Sequence, residues 1–224
     1  MMSSKIKKKS IIEQESLNLS IQQAEYKDIE ALVEICRKSF PKLLRWQIPR
    51  FLSRKRWRQI LSSKAAETWV CLANDQLAGY VTLVRNITAY RLEEHQCTRF
   101  VLRKFYYYLF CPRLFLQMLV RKVLMFTSRS IKPDSFIQNG PEPMSCTWID
   151  SIAVVPEMRR NGIATRLLEL CRERTLQLNM DGMKLSVNSD NMTAQSLYKN
   201  FGFYCTHCGY DNRIYTVKVV NEIL

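Results

Sequence analysis

The sequence predicts an α/β domain with a mixed, mostly antiparallel central sheet flanked by helices. Two strand-like runs at 68–73 and 77–84, joined by a short polar turn, indicate an antiparallel hairpin. A strand-like run at 144–155, an amphipathic helix at 162–179 and another strand-like run at 183–188 indicate a right-handed crossover with parallel pairing. Because both kinds of pairing occur in one chain, we expect a mixed sheet.

The size and composition of the chain fit one domain. Its 224 residues are 47% hydrophobic, which is enough for a sizeable core. We expect a disordered basic tail over 1–17, a single domain over 18–224 and an inserted helical segment at about 88–143. No run approaches the roughly 18 uncharged apolar residues of a membrane-spanning helix. The sequence therefore predicts a protein without a transmembrane helix.

The remaining elements follow from local patterns. A strand at 19–25 precedes a helix that we expect Asp28 to cap, with apolar positions Ile29, Leu32, Val33 and Cys36. Residues 37–64 contain ten Lys or Arg and no acid, interleaved with bulky apolar residues, which predicts a basic helical region. Gly79 in the second hairpin strand indicates a bulge or a close backbone approach. A short helix at 193–200 ends at Gly202, and strands follow at 203–208 and 214–220.

Charge and cysteine usage limit the environment of the protein. The formal charge of +14 attracts phosphates, nucleic acid or anionic lipid, and composition alone does not choose among them. Eight scattered cysteines without a disulfide framework predict free thiols in a reducing, cytoplasmic compartment. Cys205 and Cys208 have the spacing of half a zinc site, but no second ligand pair lies near them in sequence, so we expect no metal.

The turn between the 144–155 strand and the helix after it carries the strongest chemical signal. Pro156 ends the strand, and residues 159–164 form the connection. The first amides of a helix are unpaired and lie at the positive end of its dipole, and Gly162 lets the main chain approach a ligand. Two arginines, Arg159 and Arg160, add positive charge, so this turn suits a diphosphate. The alternative is an ordinary strand-to-helix turn with solvated arginines.

Two signatures in this region resemble those of the GNAT superfamily of acyltransferases. The first is Ile152-Ala153-Val154, Pro156 and then Arg159-x-x-Gly162-x-Ala164. The second is NMTAQSLYKNFGF, residues 191–203, which matches Asn-x-x-Ala-x-x-Leu-Tyr-x-x-x-Gly-Phe at every defined position. The resemblance covers 144–205 closely and 18–87 loosely, whereas 88–143 has no counterpart in the family's minimal domain. It implies a GNAT-like fold.

The resemblance also implies acetyl coenzyme A as cosubstrate, with no metal. Its pyrophosphate would lie on a cradle formed by Arg159, Arg160, Asn161, Gly162, Ile163 and Ala164. Its pantetheine arm would pair with the strand at Ile152, Ala153 and Val154, where backbone N–H also stabilises the oxyanion. Asn191 and Tyr198 of the second signature would complete the cofactor site.

Catalytic roles remain open between alternatives. Tyr198 occupies the position of a general acid for the departing thiolate, or it is a core tyrosine whose hydroxyl merely contacts the cofactor. Asn191 caps a helix, contacts the cofactor, or does both. Ser186 stands at the position where some members of the family carry a glutamate that acts as the general base. Asp150 is then the nearest carboxylate for this role, and the alternative is that Asp150 is a structural strand residue. His207 is a weaker candidate for the base.

The resemblance implies direct transfer of an acetyl group to a primary amine on a protein or small molecule. The basic surroundings favour an acidic or phosphorylated acceptor. Apolar and basic residues at 88–130 suit peripheral contact with a membrane. We rank this reading below an extra helical hairpin with its own small core or a dimer contact, and we rank nucleic acid last. The alternative function is a non-catalytic basic binding module on the same fold.

Overall fold

The computed structural model describes residues 18–40, 49–96, 143–209 and 212–219. Its strands are β1 (Leu19–Gln23), β2 (Ala66–Ala73), β3 (Gln76–Val84), β4 (Cys146–Val154), β5 (Gly182–Asn188), β6 (Tyr204–Cys208) and β7 (Asn212–Lys218). Its helices are α1 (Ile29–Ser39), α2 (Arg50–Ser62), α3 (Ile87–Gln96), α4 (Ile163–Gln177) and α5 (Met192–Asn200). The predicted tail and most of the predicted insertion lie outside the described residues. Of the insertion, α3 covers the beginning.

The seven strands form one sheet in the order β1-β2-β3-β4-β5-β7-β6. Neighbouring strands are antiparallel except for β4 and β5, which are parallel and connected through α4. The predicted α/β class, the mostly antiparallel sheet and the parallel crossover are confirmed.

The β2–β3 hairpin forms as its turn residues dictate. Asn74 and Asp75 have φ values of 49° and 62°, the left-handed conformation that two-residue hairpin turns require and that Asn and Asp tolerate. The register shifts between Cys71 and Leu72, which makes a bulge beside Gly79. A Cβ on Gly79 would lie 2.9 Å from the carbonyl oxygen of Ala153. Both readings of Gly79, a bulge and a close backbone approach, are therefore confirmed.

The expectation that Asp28 caps α1 with its side chain is wrong. Asp28 precedes α1 but makes no side-chain capping bond to it. Its carboxylate instead accepts a hydrogen bond from the backbone N–H of Glu25 at 2.8 Å. This bond closes a short 3-10 turn, Tyr26–Asp28, inserted between β1 and α1. The sequence pattern located the helix start but not the extra turn before it.

Each face of the sheet carries a core. On one face, α4 and the segment after α5 pack against β3, β4, β5 and β7, and the most buried residues there include Leu83, Ile149, Leu167, Leu168, Leu185 and Tyr215. On the other face, α1 and α2 pack against the sheet. The ring of Trp57 on α2 meets the ring of Tyr80 on β3 edge to face, with 5.1 Å between the ring centroids. The four apolar positions predicted for α1 are all buried.

A buried carboxylate joins the sheet to the C-terminal part of α4. Glu67 on β2 is 4% exposed and accepts hydrogen bonds from Arg174 at 2.9 and 3.0 Å and from Arg85. The Arg174 guanidinium also lies 5.7 Å from the ring centroid of Trp69. Burial raises the pKa of Glu67, but hydrogen bonds from the two arginines outweigh burial and hold this pKa below its ordinary value.

Candidate active site

The two parallel strands separate halfway along their length. Within the described chain, β4 pairs with β5 over 146–149 and 182–185, yet β4 continues to Val154 and β5 to Asn188. The separation begins at a bulge. Ser151 pairs with Thr82 and Ile149 with Leu83, so Asp150 is the extra residue of the bulge. A bulge bends its strand and re-aims the side chains around it. We call the space between residues 150–154 and 186–188 the cleft.

The backbone of β4 directs polar groups into this cleft. The N–H of Val155 donates to the carbonyl oxygen of Ala78 at 2.8 Å. Because hydrogen-bonded positions alternate along an antiparallel pair, 151, 153 and 155 direct their backbone groups toward β3. Ile152 and Val154 therefore direct theirs to the cleft side, where an extended chain of amides can pair with them. The carbonyl oxygen of Val154 already accepts from Arg159 Nε at 3.2 Å and Ser39 Oγ at 3.5 Å.

The connection from β4 to α4 forms an exposed helix N-terminus beside the cleft. A 3-10 turn, Pro156–Met158, ends the strand. Arg160 and Gly162 then take positive φ values of 71° and 75°, and Gly162 is the N-cap of α4. No atom lies within 4 Å of a Cβ built on Gly162, so the space in front of it is open. Backbone conformation and an open approach, rather than close packing, explain this glycine.

The predicted cradle residues divide into two groups. Arg159, Arg160, Asn161 and Gly162 are exposed, whereas Ile163 is 1% exposed and anchors α4 in the core. Ile163 and the half-buried Ala164 can therefore offer a ligand their backbone amides, which are unpaired at a helix start. The hydrogen bond from Arg159 to Val154 ties the turn to the strand, and the side chain of Arg160 remains solvent-exposed.

Helix α5 carries the second signature. Asn191 Oδ1 accepts a hydrogen bond from the N–H of Ala194 at 3.1 Å, which confirms its predicted N-cap role, while its contact with a cofactor stays a prediction. Tyr198 is 7% exposed, and its ring centroid lies 5.8 Å from that of Phe203 and 6.3 Å from that of Tyr215. Burial raises the pKa of Tyr198, so its phenol stays protonated at neutral pH. Val154, Ile163 and Tyr198 belong to one cluster of packed side chains.

Gln195 is a residue of this region that the sequence analysis did not single out. It is 1% exposed, and its amide nitrogen donates to the carbonyl oxygens of Asn188 and Ser189 at 3.2 and 2.8 Å. Its oxygen accepts from Arg213 at 3.2 Å and from the Tyr215 hydroxyl at 3.3 Å. Gln195 thus fixes the connection from β5 to α5. A polar residue on the apolar side of a short helix was the available signal.

The candidates for the base occupy different places. Asp150 is half-buried at the bulge where the cleft begins. Ser186 is exposed on β5 and pairs with Ile214. His207 lies on β6, two strands beyond β5, which corresponds to roughly 10 Å from β5 at the usual strand spacing. The topology therefore places Asp150, and not His207, at the edge of the cleft.

The described residues contain no group of three or more His, Cys, Asp or Glu side chains that could hold a metal ion. Cys205 and Cys208 contact each other, with 2.9 Å between their sulfur atoms. None of the helices in the described ranges is long and apolar enough to cross a membrane.

Residues 131–203 match the family model described as "Acetyltransferase (GNAT) family". No curated protein matches the chain in sequence. Among solved structures, the ribosomal-protein-S18-alanine N-acetyltransferase of Escherichia coli has a TM-score of 0.56 at 14% identity, over 92% of this chain and 99% of that one. An N-acetyltransferase of Staphylococcus aureus Mu50 gives 0.57 at 14% identity, over 91% and 99%. The PaiA N-acetyltransferase of Thermoplasma acidophilum, solved with coenzyme A, gives 0.52 at 14% identity, over 90% and 99%.

The matched segment begins before β4 and ends just after α5, so it contains both signatures and the cleft. Residues 131–203 therefore resemble GNAT acetyltransferases, as the sequence predicted, and the fold of the described residues is similar to that of solved N-acetyltransferases. The predicted class of protein, an acyltransferase, agrees with the family that this segment matches.

Proposed function

We propose that the protein transfers an acetyl group from acetyl coenzyme A to a primary amine by direct attack within a ternary complex. The observation that carries the proposal is the separation of β4 from β5 at the Asp150 bulge, beside the open N-terminus of α4 at Gly162. One side of this cleft offers strand amides, and the helix start offers unpaired amides with positive charge. An elongated ligand with a diphosphate at one end and amides along its length fits both.

The residues present fit the cosubstrate part by part. The amides at the start of α4, with the side chains of Arg159 and Arg160, would hold the pyrophosphate. Ile152 and the N–H of Val154 would pair with the pantetheine amides. Asn191, whose Oδ1 already caps α5, keeps its amide nitrogen for the cofactor. Acetyl coenzyme A supplies an activated thioester, and binding it beside the amine removes much of the entropic barrier to attack.

Three groups of the chain would act on the reacting atoms. A backbone N–H of β4 near Val154 would donate to the oxygen of the tetrahedral intermediate. Asp150 would accept the proton of the acceptor ammonium, directly or through a water. Tyr198 would donate its phenolic proton to the departing sulfur, and the raised pKa of Tyr198 keeps that proton in place until the sulfur becomes basic.

The acceptor site is expected at the end of α1. Ser39, the last residue of α1, contacts the carbonyl oxygen of Val154, so α1 ends at the cleft. Part of the basic charge of α2 is neutralised, because Arg50 pairs with Glu34 at 3.1 Å and Arg54 pairs with Glu30. Exposed Lys38, next to Ser39, still favours an acidic or phosphorylated acceptor. The proposed membrane contact through 88–130 falls largely outside the described residues.

A matched pair of substitutions at Gly162 tests the cofactor site. Asn and Asp are nearly equal in size and tolerate positive φ alike, so Gly162→Asn and Gly162→Asp strain the backbone equally and differ in charge. Acetyl coenzyme A should raise the melting temperature of the wild type. It should raise that of Gly162→Asn less, and that of Gly162→Asp least, because a carboxylate would face the pyrophosphate.

The result that would overturn the proposal is a wild-type melting temperature that acetyl coenzyme A leaves unchanged. Stabilisation without release of coenzyme A thiol, over a panel of amine acceptors that includes acidic peptides, would instead favour the non-catalytic binding module. Equal stabilisation of Gly162→Asn and Gly162→Asp would place the pyrophosphate elsewhere.

A further inference from the structure

The thiol pair on β6 takes no part in the proposed transfer. Cys205 and Cys208 lie three residues apart on a strand at the edge of the sheet. In a regular strand, side chains three apart project from opposite faces, since successive side chains alternate. Their sulfur atoms should then be far apart, yet they lie 2.9 Å from each other.

A bulge explains this contact. Cys205 pairs with Tyr215 on β7, and the next pair is His207 with Ile214, so Thr206 is the extra residue. One extra residue reverses the alternation beyond it, which brings positions 205 and 208 to the same side. Both thiols are half-buried, so small reagents can reach them. The local geometry therefore creates a dithiol that the sequence spacing alone does not require.

We propose that Cys205 and Cys208 form a reversible dithiol–disulfide site for low-molecular-weight disulfides of the glutathione class. One cysteine, as thiolate, attacks the small disulfide, forms a mixed disulfide and releases one small thiolate. The other cysteine loses its proton, attacks the protein sulfur of the mixed disulfide and releases the second. One small disulfide is reduced to two thiols, and the two protons lost by the cysteines go to the released thiolates.

Proximity favours closure of the protein disulfide over persistence of the mixed disulfide. The second sulfur is already in contact with the first, so its attack is intramolecular. The sulfurs must approach from 2.9 Å to the disulfide bond length of about 2.05 Å. Cys36, Cys71 and Cys171 are buried and less accessible to the same reagent.

The charges around Cys205 and Cys208 affect the rate of this exchange. Burial and the hydrogen bond with Cys208 raise the pKa of Cys205 to about 11. The positive charge of Arg213 on β7 and the backbone near His207 oppose this rise. Tyr215 is the other titratable neighbour on β7. Because the thiolate is the attacking species, exchange should be slow at neutral pH and faster as pH rises.

Mass mapping of the full-length protein tests the proposal without acetyl coenzyme A, so failure of the proposed function would not affect it. The protein is incubated with oxidised and reduced glutathione in varied ratios, its free thiols are alkylated, and it is digested with trypsin. Cleavage after Lys199 and Arg213 yields a peptide of residues 200–213 that contains no cysteine besides Cys205 and Cys208. We expect this peptide to lose two hydrogens and to escape alkylation, and to recover both thiols after reduction.

Two variants separate a functional pair from adjacent but independent thiols. Cys205→Ser and Cys208→Ser should each retain a mixed disulfide on the remaining cysteine, because the resolving thiol is missing. The proposal is overturned if the wild-type peptide stays doubly alkylated at every ratio, or if it accumulates a stable mixed disulfide as the single-cysteine variants do. The wild-type measurement decides this even if a variant fails to fold.

Discussion

The two ends of β4 have opposite roles. At the closed end, residues 146–149 pair with β5, and Trp148 and Ile149 also pair with β3. At the open end, residues 151–154 pair with β3 and face the cleft on the other side. Ladder hydrogen bonds to β5 occupy the closed end, whereas at the open end the backbone groups of Ile152 and Val154 lie on the cleft side. Under the proposed function, one strand therefore contributes to stability at one end and to binding at the other.

The side chains around each end follow the same division. The closed end lies next to the Glu67–Arg174–Arg85 cluster and to a buried hydrogen bond of 2.7 Å between Thr147 and Thr175. The open end lies beside Gly162, which has open space before it. We expect substitutions at the closed end to change unfolding, and those at the open end to change binding or rate.

The largest effect is expected from Tyr198→Phe. Loss of a general acid typically costs 10²–10⁴-fold, so we expect kcat to fall about 100-fold with little change in KM. The ring would keep its contacts with Phe203 and Tyr215, so the melting temperature should change little. Steady-state assay of thiol release measures the rate.

Tyr80→Phe is the matched control for Tyr198→Phe. Tyr80 is also a buried tyrosine, but it lies on the other face of the sheet, with its hydroxyl 3.0 Å from the sulfur of Cys36. Removing the Tyr80 hydroxyl should leave kcat unchanged within about two-fold, since no step of the proposed reaction uses this hydroxyl. If both variants lose rate equally, Tyr198 acts through packing and not as an acid.

At the closed end, Glu67→Gln should lower the free energy of unfolding by about 2 kcal/mol. Breaking a fully buried ion pair costs about 3–5 kcal/mol. The cost here is smaller because the side chains of Arg85 and Arg174 are 41% and 28% exposed and can be solvated. Urea unfolding measures it, and acetyl coenzyme A should still stabilise the folded variant.

Glu30→Gln provides the comparison for Glu67→Gln. Glu30 also pairs with an arginine, Arg54, but its side chain is 60% exposed. Exposed pairs contribute about 0–1 kcal/mol, so this variant should be nearly as stable as the wild type. If Glu67→Gln lowers the free energy of unfolding no more than Glu30→Gln does, the buried cluster is not important for stability.

The sequence predicted those parts of the molecule that depend on local patterns. Alternation and helical spacing located the described strands and helices, and the two signatures located the cleft-side turn and α5. Pro156 and Gly162 were informative because their backbone requirements are local: proline lacks an N–H, and glycine tolerates a φ of 75°.

The features that the sequence did not predict depend on register or on distant residues. Glu67 and Arg174 are 107 positions apart and meet only through the fold. The bulge at Asp150 results from how β4 aligns with β3, and local composition gives no sign of it. The Asp28 error has a similar cause, since its carboxylate had two backbone partners within reach and formed the bond to Glu25.

Thr147→Val should cost about 1 kcal/mol, less than Glu67→Gln. Thr175 donates to the carbonyl oxygen of Cys171 at 2.7 Å, so the proton between the two threonines comes from Thr147. Valine in place of Thr147 removes one hydrogen bond and leaves no donor unsatisfied. Thr175→Val, in contrast, leaves the buried Thr147 hydroxyl without its acceptor and should lower the free energy of unfolding more. Equal losses in the two variants would contradict this direction of donation.

The smallest effect is a pH dependence confined to acid conditions. The pKa of Glu67 in the folded protein is below its ordinary value of 4.5, so the unfolded chain binds a proton more readily. The contribution of Glu67 to stability is therefore fully present above about pH 4.5 and is lost as pH falls through the folded-state pKa. Urea unfolding between neutral pH and pH 3 should show the difference between wild type and Glu67→Gln narrowing on the acid side. A difference that stays constant over this range would mean that Glu67 titrates alike in both states, and that its arginine contacts do not hold its charge.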